Sequence, residues 1–232
     1  MRRLLYDVRG MIHAVTVDDP RWAAPPAPAR RTLDRGSVVA TALRLADTDG
    51  LAAVSMPRLA RELGSAPMSL YRHVPGKDAL VDLVLDAALG EPPDLAGYGL
   101  RLGCEIWASA LREVLDEHPW AVGLLAGPRA TGPAECAWSE ALLAHVVGAG
   151  HALHAAVEVL HLLHGYVRGA AALAGDRLPT LDDVRRSGRS EQLPVLSRLL
   201  GGAVVRGPGG GEPLFESGLR RTLDVVEAGL RP

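Results

Sequence analysis

The sequence predicts an all-α chain in two parts, an N-terminal helix-turn-helix three-helix domain followed by a larger C-terminal helical domain. Three observations predict it. Apolar residues recur at i, i+3, i+4 and i+7, as at Val39, Ala42, Leu43 and Ala46 and again at Leu80, Leu83, Val84 and Ala87. No run alternates with the period of two that marks a half-buried strand. The breaks at Glu91-Pro92-Pro93, His118-Pro119, Gly127-Pro128 and Gly132-Pro133 fall between the periodic stretches, where a proline ring or a missing side chain stops a helix.

The bulk composition bounds the rest. The chain has 232 residues, 48% hydrophobic and 22% charged, the balance of a protein that folds around a core. Its formal net charge is only −2, but residues 30–77 carry eight basic side chains (Arg30, Arg31, Arg35, Arg44, Arg58, Arg61, Arg72, Lys77) against four acidic ones (Asp34, Asp47, Asp49, Glu62). A basic segment therefore sits inside an acidic protein, as a phosphate-binding surface requires. The two cysteines, Cys104 and Cys136, are too few for a disulfide framework and lack zinc-site spacing, so a reduced, cytoplasmic setting is expected. No apolar run reaches the roughly 20 residues that span a bilayer, and charges interrupt the first residues too often for a signal peptide. No membrane partner is expected.

Taken in order, residues 1–29 form a flexible Pro-rich N-terminal extension, with four prolines in PRWAAPPAPA at 20–29. Residues 30–77 form the helix-turn-helix domain, and 78–232 the second domain. In the latter, helices are expected at 97–118 (a stripe of Leu100, Cys104, Trp107, Leu111 and Val114), 131–148, 151–174 and 212–230. The polar stretch 175–192 and the glycine-rich 201–211 read as flexible connections.

The informative segment is LAAVSMPRLARELGSAPMSLYRHVPGKDAL at 51–80. Ser55 is a good N-cap, Pro57 is tolerated in a first turn, and Leu59, Ala60 and Leu63 supply an inner face that ends at Gly64. Ser65 can cap the next helix, in which Leu70 and Val74 face back onto Leu59 and Leu63. This is a helix-turn-helix, whose second helix enters the major groove of double-stranded DNA. Ala66, Pro67, Met68, Ser69, Arg72 and His73 are then left outward. The Tyr71 hydroxyl, Ser69, Arg72 and Lys77 supply donors to phosphates and base edges, and Met68 suits a thymine methyl. Arg58 and the first amides after Ser55 can hold a phosphate. Arg30, Arg31 and Arg35 can form an arm along the backbone or the adjacent minor groove.

The string ADTDGLAAVSMPRLARELGSAPMSLYRHVPGKDAL closely resembles the DNA-binding domain of the TetR family. The shared features are a first helix ending in Ala-Asp-x-x-Gly, Leu59-Ala60, the Leu63-Gly64 turn, and Leu70-Tyr71-x-His73 followed by Lys77 and Leu80. The resemblance implies a first helix at 34–48, a supporting helix at 55–63, a recognition helix at 66–73 and a fourth helix from 77. It places Tyr71, His73 and Lys77 at or near the DNA backbone, and Pro67, Met68, Ser69 and Arg72 at positions that vary with the operator. Pro57 departs from the polar residue many members carry there. More weakly, LFESGLRRTLDVVEAGL at 214–230 and the helix from His151 to Ala174 resemble the tetracycline-repressor-like regulatory domain.

The resemblance further implies a C-terminal ligand-binding and dimerisation domain, in a transcriptional repressor released from a palindromic operator by a small-molecule effector. A homodimer is also required by DNA geometry, since a twofold pair of recognition helices reads two half-sites. Gly165 and Gly169, four apart, with Leu219, Leu223 and Val226, are expected at the dimer interface. Trp107, Leu111, Trp138, Leu142, His145 and His161 are expected to line an effector pocket.

Two other functions compete. His151, His154, His161 and His164 share one helix, which is the feature that a helical metal-dependent enzyme would use. No Cys, Asp or Glu constellation completes a ligand set and no nucleophile-base pair is present, so no catalytic residue, metal or cofactor is expected. A protein-binding adaptor without DNA contact is opposed by the local positive charge.

Overall fold

A computed structural model describes residues 33–127, 129–175, 181–200 and 214–230. The Pro-rich extension at 1–29, Arg30 and Arg31, and the glycine-rich 201–211 lie outside the described residues. Among the described residues there is no strand. The helices, in chain order, are α1 (Arg35–Asp49), α2 (Met56–Glu62), α3 (Pro67–Leu70), α4 (Lys77–Leu89), α5 (Leu100–Glu117), α6 (Ala121–Leu125), α7 (Pro133–Gly148), α8 (Leu153–Gly175), α9 (Leu181–Arg186), α10 (Pro194–Leu200) and α11 (Leu214–Gly229). Contacts divide the chain into two compact units. One comprises the chain up to Pro92 with Glu117–Glu140, the other Pro93–Asp116 with Ala141 onward.

The first unit begins where Asp34 caps α1. Its carboxylate accepts from the Ser37 amide at 2.7 Å while the Ser37 hydroxyl accepts from the Asp34 amide at 3.1 Å, so two otherwise unpaired donors are satisfied. The Ser37 amide, with its hydroxyl, holds the Asp34 carboxyl below the usual carboxylate range. Inside, Val38, Ala42, Leu45 and Ala46 of α1 meet Met56, Leu59 and Ala60 of α2, Leu70 and Val74, and Leu80, Leu83 and Val84 of α4. Each buried Leu or Val of this kind contributes about 1.5–3 kcal/mol of apolar transfer. The apolar stripe of α1 is turned by one residue from the expected one, with Val39 and Leu43 only partly buried at its edge.

Residues 117–140 complete this unit through polar contacts. Asp47, near the end of α1, accepts from His118 Nδ1 at 2.7 Å and from Trp120 Nε1 at 2.8 Å. Asp86 of α4 accepts from the Ala134 amide at 2.8 Å, and Trp138 Nε1 donates to the Leu89 carbonyl at 3.1 Å. The α4 helix is thus tied by backbone-directed hydrogen bonds to the start of α7.

The second unit is built on α5, α8 and α11. Cys104, Trp107, Ala108, Leu111 and Leu115 form the buried stripe of α5, joined by Val159, Leu163 and Val167 of α8 and Leu219, Leu223 and Val226 of α11. Arg101 pairs with Asp224 and Glu227, both at 2.9 Å. Tyr166 stacks on Phe215 at 5.5 Å and donates to its carbonyl at 2.6 Å. Gly218 permits that approach, because a Cβ there would lie 2.2 Å from the Tyr166 hydroxyl. The expected helices at 97–118, 131–148, 151–174 and 212–230 correspond to α5, α7, α8 and α11. The stretch 175–192, expected to be a flexible connection, contains α9 and a 3₁₀ turn at Ser190–Gln192. There Asp182 and Asp183 in the first turn and Arg185 and Arg186 in the last are placed favourably along a helix dipole.

Candidate nucleic-acid interface

The turn between α2 and α3 sets the site. Gly64 has φ +61°, a left-handed backbone that glycine adopts without steric cost. The Ser65 amide donates to the Ala60 carbonyl at 2.8 Å and the Gly64 amide to the Arg61 carbonyl at 3.2 Å, the paired bonds of a Schellman stop. At the other end of α2, the Ser55 hydroxyl accepts from the Arg58 amide at 3.4 Å, as its capping position requires.

Ser65 does not cap α3. Proline at the first helical position makes Ala66 the N-cap, with no side-chain cap bond, and the Ser65 hydroxyl is buried without a hydrogen-bond partner. Ser65 is therefore a turn residue rather than an outward donor. Regular α-helix covers only Pro67–Leu70. The expected continuation to His73 is a turn closed by bonds from the His73 and Val74 amides to the Leu70 carbonyl, both at 2.9 Å, and Pro75 prevents further winding.

Leu70 and Val74 are fully buried, which fixes the orientation of everything else. Ala66, Pro67, Met68, Tyr71, Arg72 and Lys77 are exposed, while Ser69 and His73 are half-buried. Met68 is 75% and Tyr71 45% exposed, high values for such large apolar bodies on a folded unit. Arg72 reaches back to the Ser69 hydroxyl at 3.3 Å. The basic excess of the segment is partly spent internally. Arg44 pairs with Glu62 at 3.0 Å, and Arg58 pairs with Asp49. Arg58 thus reaches a phosphate only by leaving a carboxylate. Among the described residues Arg61 and Lys77 carry no ion pair, so the unneutralised positive charge lies at Arg61, Arg72 and Lys77. Arg61 is the residue that motif reading passed over. Its signal is weak, because a basic residue late in a helix also fits the helix dipole.

The expected effector and dimer residues are distributed differently. Trp107, Leu111 and Leu142 are buried core, and Trp138 belongs to the first unit, its ring nitrogen committed to the Leu89 carbonyl. His161 is exposed. Of that set, His145 borders an open cavity of ≈480 Å³ in the second unit, between the loop Pro93–Tyr98 and the end of α7. Asp94 and Tyr98 of this loop were not anticipated, since a loop residue carries no periodic signal. Leu219, Leu223 and Val226 turn into the protomer's own core at 3%, 1% and 3% exposure, so they are not surface residues. Gly165 and Gly169 are exposed, as are Leu153, Leu162 and Leu173 on α8 and Leu214 and Val225 on α11. His164 stands edge-on to Trp107 at 5.6 Å, and among the described residues no three His, Cys, Asp or Glu side chains gather as a metal site.

An α2–α3 pair packed on α1, with Met68, Tyr71, Arg72 and Lys77 exposed along α3, the turn after it and the start of α4, defines a helix-turn-helix DNA-binding protein with a helical second part. Residues 38–84 match the family described as bacterial regulatory proteins, tetR family, and residues 99–230 match the tetracyclin repressor-like C-terminal domain. The HTH-type transcriptional repressor DrrR1 of Streptomyces coeruleorubidus is 34% identical over 215 residues, 84% of this chain and 77% of that protein. Among solved structures, the Streptomyces coelicolor TetR family protein ActR bound to (S)-DNPA aligns with a TM-score of 0.69 at 27% identity, over 86% of this chain and all (100%) of that one. ActR bound to actinorhodin aligns at 0.66 and 26%, over 86% of this chain and 97% of that one. The chain belongs to the TetR family and is a DNA-binding transcriptional regulator, not an enzyme.

Proposed function

We propose that the chain represses transcription by holding a palindromic operator as a homodimer, and that a small molecule entering the second unit releases it. The observation that carries this reading is the outward row Pro67, Met68, Ser69, Tyr71, Arg72, with Lys77 at the start of α4, held rigid by Leu70 and Val74. Tyr71, His73 and Lys77 hold the phosphate backbone, while Pro67, Met68, Ser69 and Arg72 face base edges. The relative DrrR1, a transcriptional repressor, and ActR, solved with (S)-DNPA and with actinorhodin bound, support the two halves of the proposal.

The dimer face is assigned to α8 and α11. Gly165 and Gly169 allow close helix approach, and the exposed Leu162 on α8 and Val225 on α11 supply apolar surface. The effector site is assigned to the cavity at His145, of a size usual for small-molecule sites, about 300–1,000 Å³. Effector binding shifts the population of α4 positions and so the spacing of the two recognition helices. Work in the cytoplasm agrees with the absence, among the described residues, of any helix long and apolar enough to cross a membrane.

Footprinting on the duplex upstream of the protein's own gene tests the proposal. Two protected half-sites related by a twofold axis, about one helical turn apart or a multiple of it, are expected. A single unsymmetrical footprint, or none, overturns the operator reading. Crosslinking α4 to the start of α7 is expected to abolish release by an effector while DNA binding persists. Loss of both overturns the α4 mechanism.

A further inference from the structure

The cavity in the second unit has a chemical bias. Its walls are the loop from Pro93 to Tyr98 and the last turns of α7, where Ala141, Ala144, Gly148 and Ala149 leave a low floor beside the His145 ring. Small side chains on a helix face admit a flat ring system in contact with the backbone. Among the residues lining it, Asp94 is the single formally charged side chain, and neither lysine nor arginine is present. One Asp94 oxygen accepts from the Ala96 amide at 2.9 Å, which fixes the carboxylate and leaves further lone pairs open.

The His145 ring closes one side of the cavity and is packed against Gly103 of α5. Its Nε2 is buried with no hydrogen-bond partner, and a Cβ at position 103 would lie 2.0 Å from that nitrogen. Glycine at 103 therefore makes room for the imidazole, at the cost of leaving a polar atom unsatisfied in the protein by itself. Tyr98, 47% exposed, adds an aromatic face at the mouth. An acidic ligand placed here would meet a carboxylate and no compensating cation. A cationic one would pair with Asp94 while its rings lie against Tyr98 and the alanine floor.

We propose that this cavity selects planar aromatic cations over aromatic acids, with Asp94 as the charge-discriminating residue. This rests on the reading of the second unit as an effector sensor, and the test separates the two. The full-length protein is titrated at mildly alkaline pH into rhodamine 6G, a cation, and into fluorescein, an anion on the same xanthene scaffold, with fluorescence anisotropy as the readout. Because one charge attracts the first dye and repels the second, rhodamine 6G is expected to bind at least about ten-fold more tightly, and more weakly in high salt. Asp94→Asn keeps the size of the side chain and an oxygen for the Ala96 amide, and is expected to shrink the difference to about three-fold or less.

Equal or tighter binding of fluorescein, a difference unchanged in Asp94→Asn, or saturable binding of neither dye overturns the inference. Adding each dye to the protein bound to a labelled operator then tests the sensor reading by itself. Rhodamine 6G that binds with the expected Asp94 dependence but releases no operator sustains the selectivity and overturns the assignment of this cavity as the effector site.

Discussion

Replacing Gly64 by alanine tests the geometry on which the DNA-binding surface depends. The left-handed backbone at φ +61° costs an L-residue about 1–2 kcal/mol relative to a right-handed one. No heavy atom lies within 4 Å of the Cβ that alanine would add, so no clash adds to that cost. Alanine also restricts the unfolded chain, which returns about 0.4–1 kcal/mol. The net loss is therefore about 1 kcal/mol, or about 2–4 °C in Tm for a chain of this size. Gly64→Asn, whose side chain tolerates the left-handed region better, is expected to lose less. Urea unfolding followed by tryptophan fluorescence or circular dichroism measures the loss, and operator affinity measured alongside shows whether the strain is absorbed. If the Ser65 and Gly64 amide bonds hold the turn, affinity survives; if the turn relaxes, the exposed face of α3 moves and affinity falls with stability. A Gly64→Ala protein as stable as the parent would refute the left-handed stop between α2 and α3.

Two further outcomes follow from polar and thiol chemistry. Asp47→Ala leaves His118 Nδ1 and Trp120 Nε1 without their shared acceptor, and is expected to destabilise the protein by about 1–3 kcal/mol in urea unfolding, with Asp47→Asn losing less because its amide oxygen still accepts. Equal stability of Asp47→Ala and the parent would show that this bridge between α1 and the residues after α5 is not formed. Burial pushes the Cys104 thiol up to about 11, with Glu227 adding to the shift, so it stays protonated and unreactive, whereas Cys136 is exposed. A thiol reagent is expected to modify Cys136 alone in the native protein and both cysteines after denaturation. Rapid native labelling of Cys104 would contradict its place in the α5 core.

The DNA-binding half was legible because punctuation and packing agree there. Ser55 starts α2, Gly64 ends it, Pro75 closes the turn after α3, and the four-residue spacing of Leu70 and Val74 decides which side chains face out. The error at Ser65 is local. Serine and alanine both precede Pro67, and the proline's preference for the first helical position gives the cap to Ala66. The α1 stripe was displaced by one residue because Val38, Val39, Ala42, Leu43, Leu45 and Ala46 form a broad apolar band whose centre only tertiary packing selects.

The second half was legible as architecture and less so as a site. Helices α6 and α9 are too short to show a period, so α6 was missed and the stretch holding α9 read as a connection. A tryptophan or leucine on an inner face reads the same whether it lines a cavity or fills the core, so nothing in the spacing separated Trp107, Leu111 and Leu142 from lining residues. For the same reason Leu219, Leu223 and Val226 read as an apolar stripe without saying which surface it covers. The expected boundary between residues 77 and 78 followed the end of the motif. Packing instead groups α4 and residues 117–140 with the first unit, through contacts such as Asp86 to Ala134 that join residues far apart in the chain.

The salt dependence of operator binding tests the central claim most directly. Phosphate contacts release counterions, so the logarithm of affinity should fall linearly with the logarithm of salt concentration, with a slope set by the number of contacts. With Lys77 exposed and without an ion pair among the described residues, Lys77→Ala is expected to weaken binding to every duplex about equally and to reduce the slope by about one. An affinity and a slope both unchanged in Lys77→Ala would contradict the placement of the DNA backbone against the start of α4.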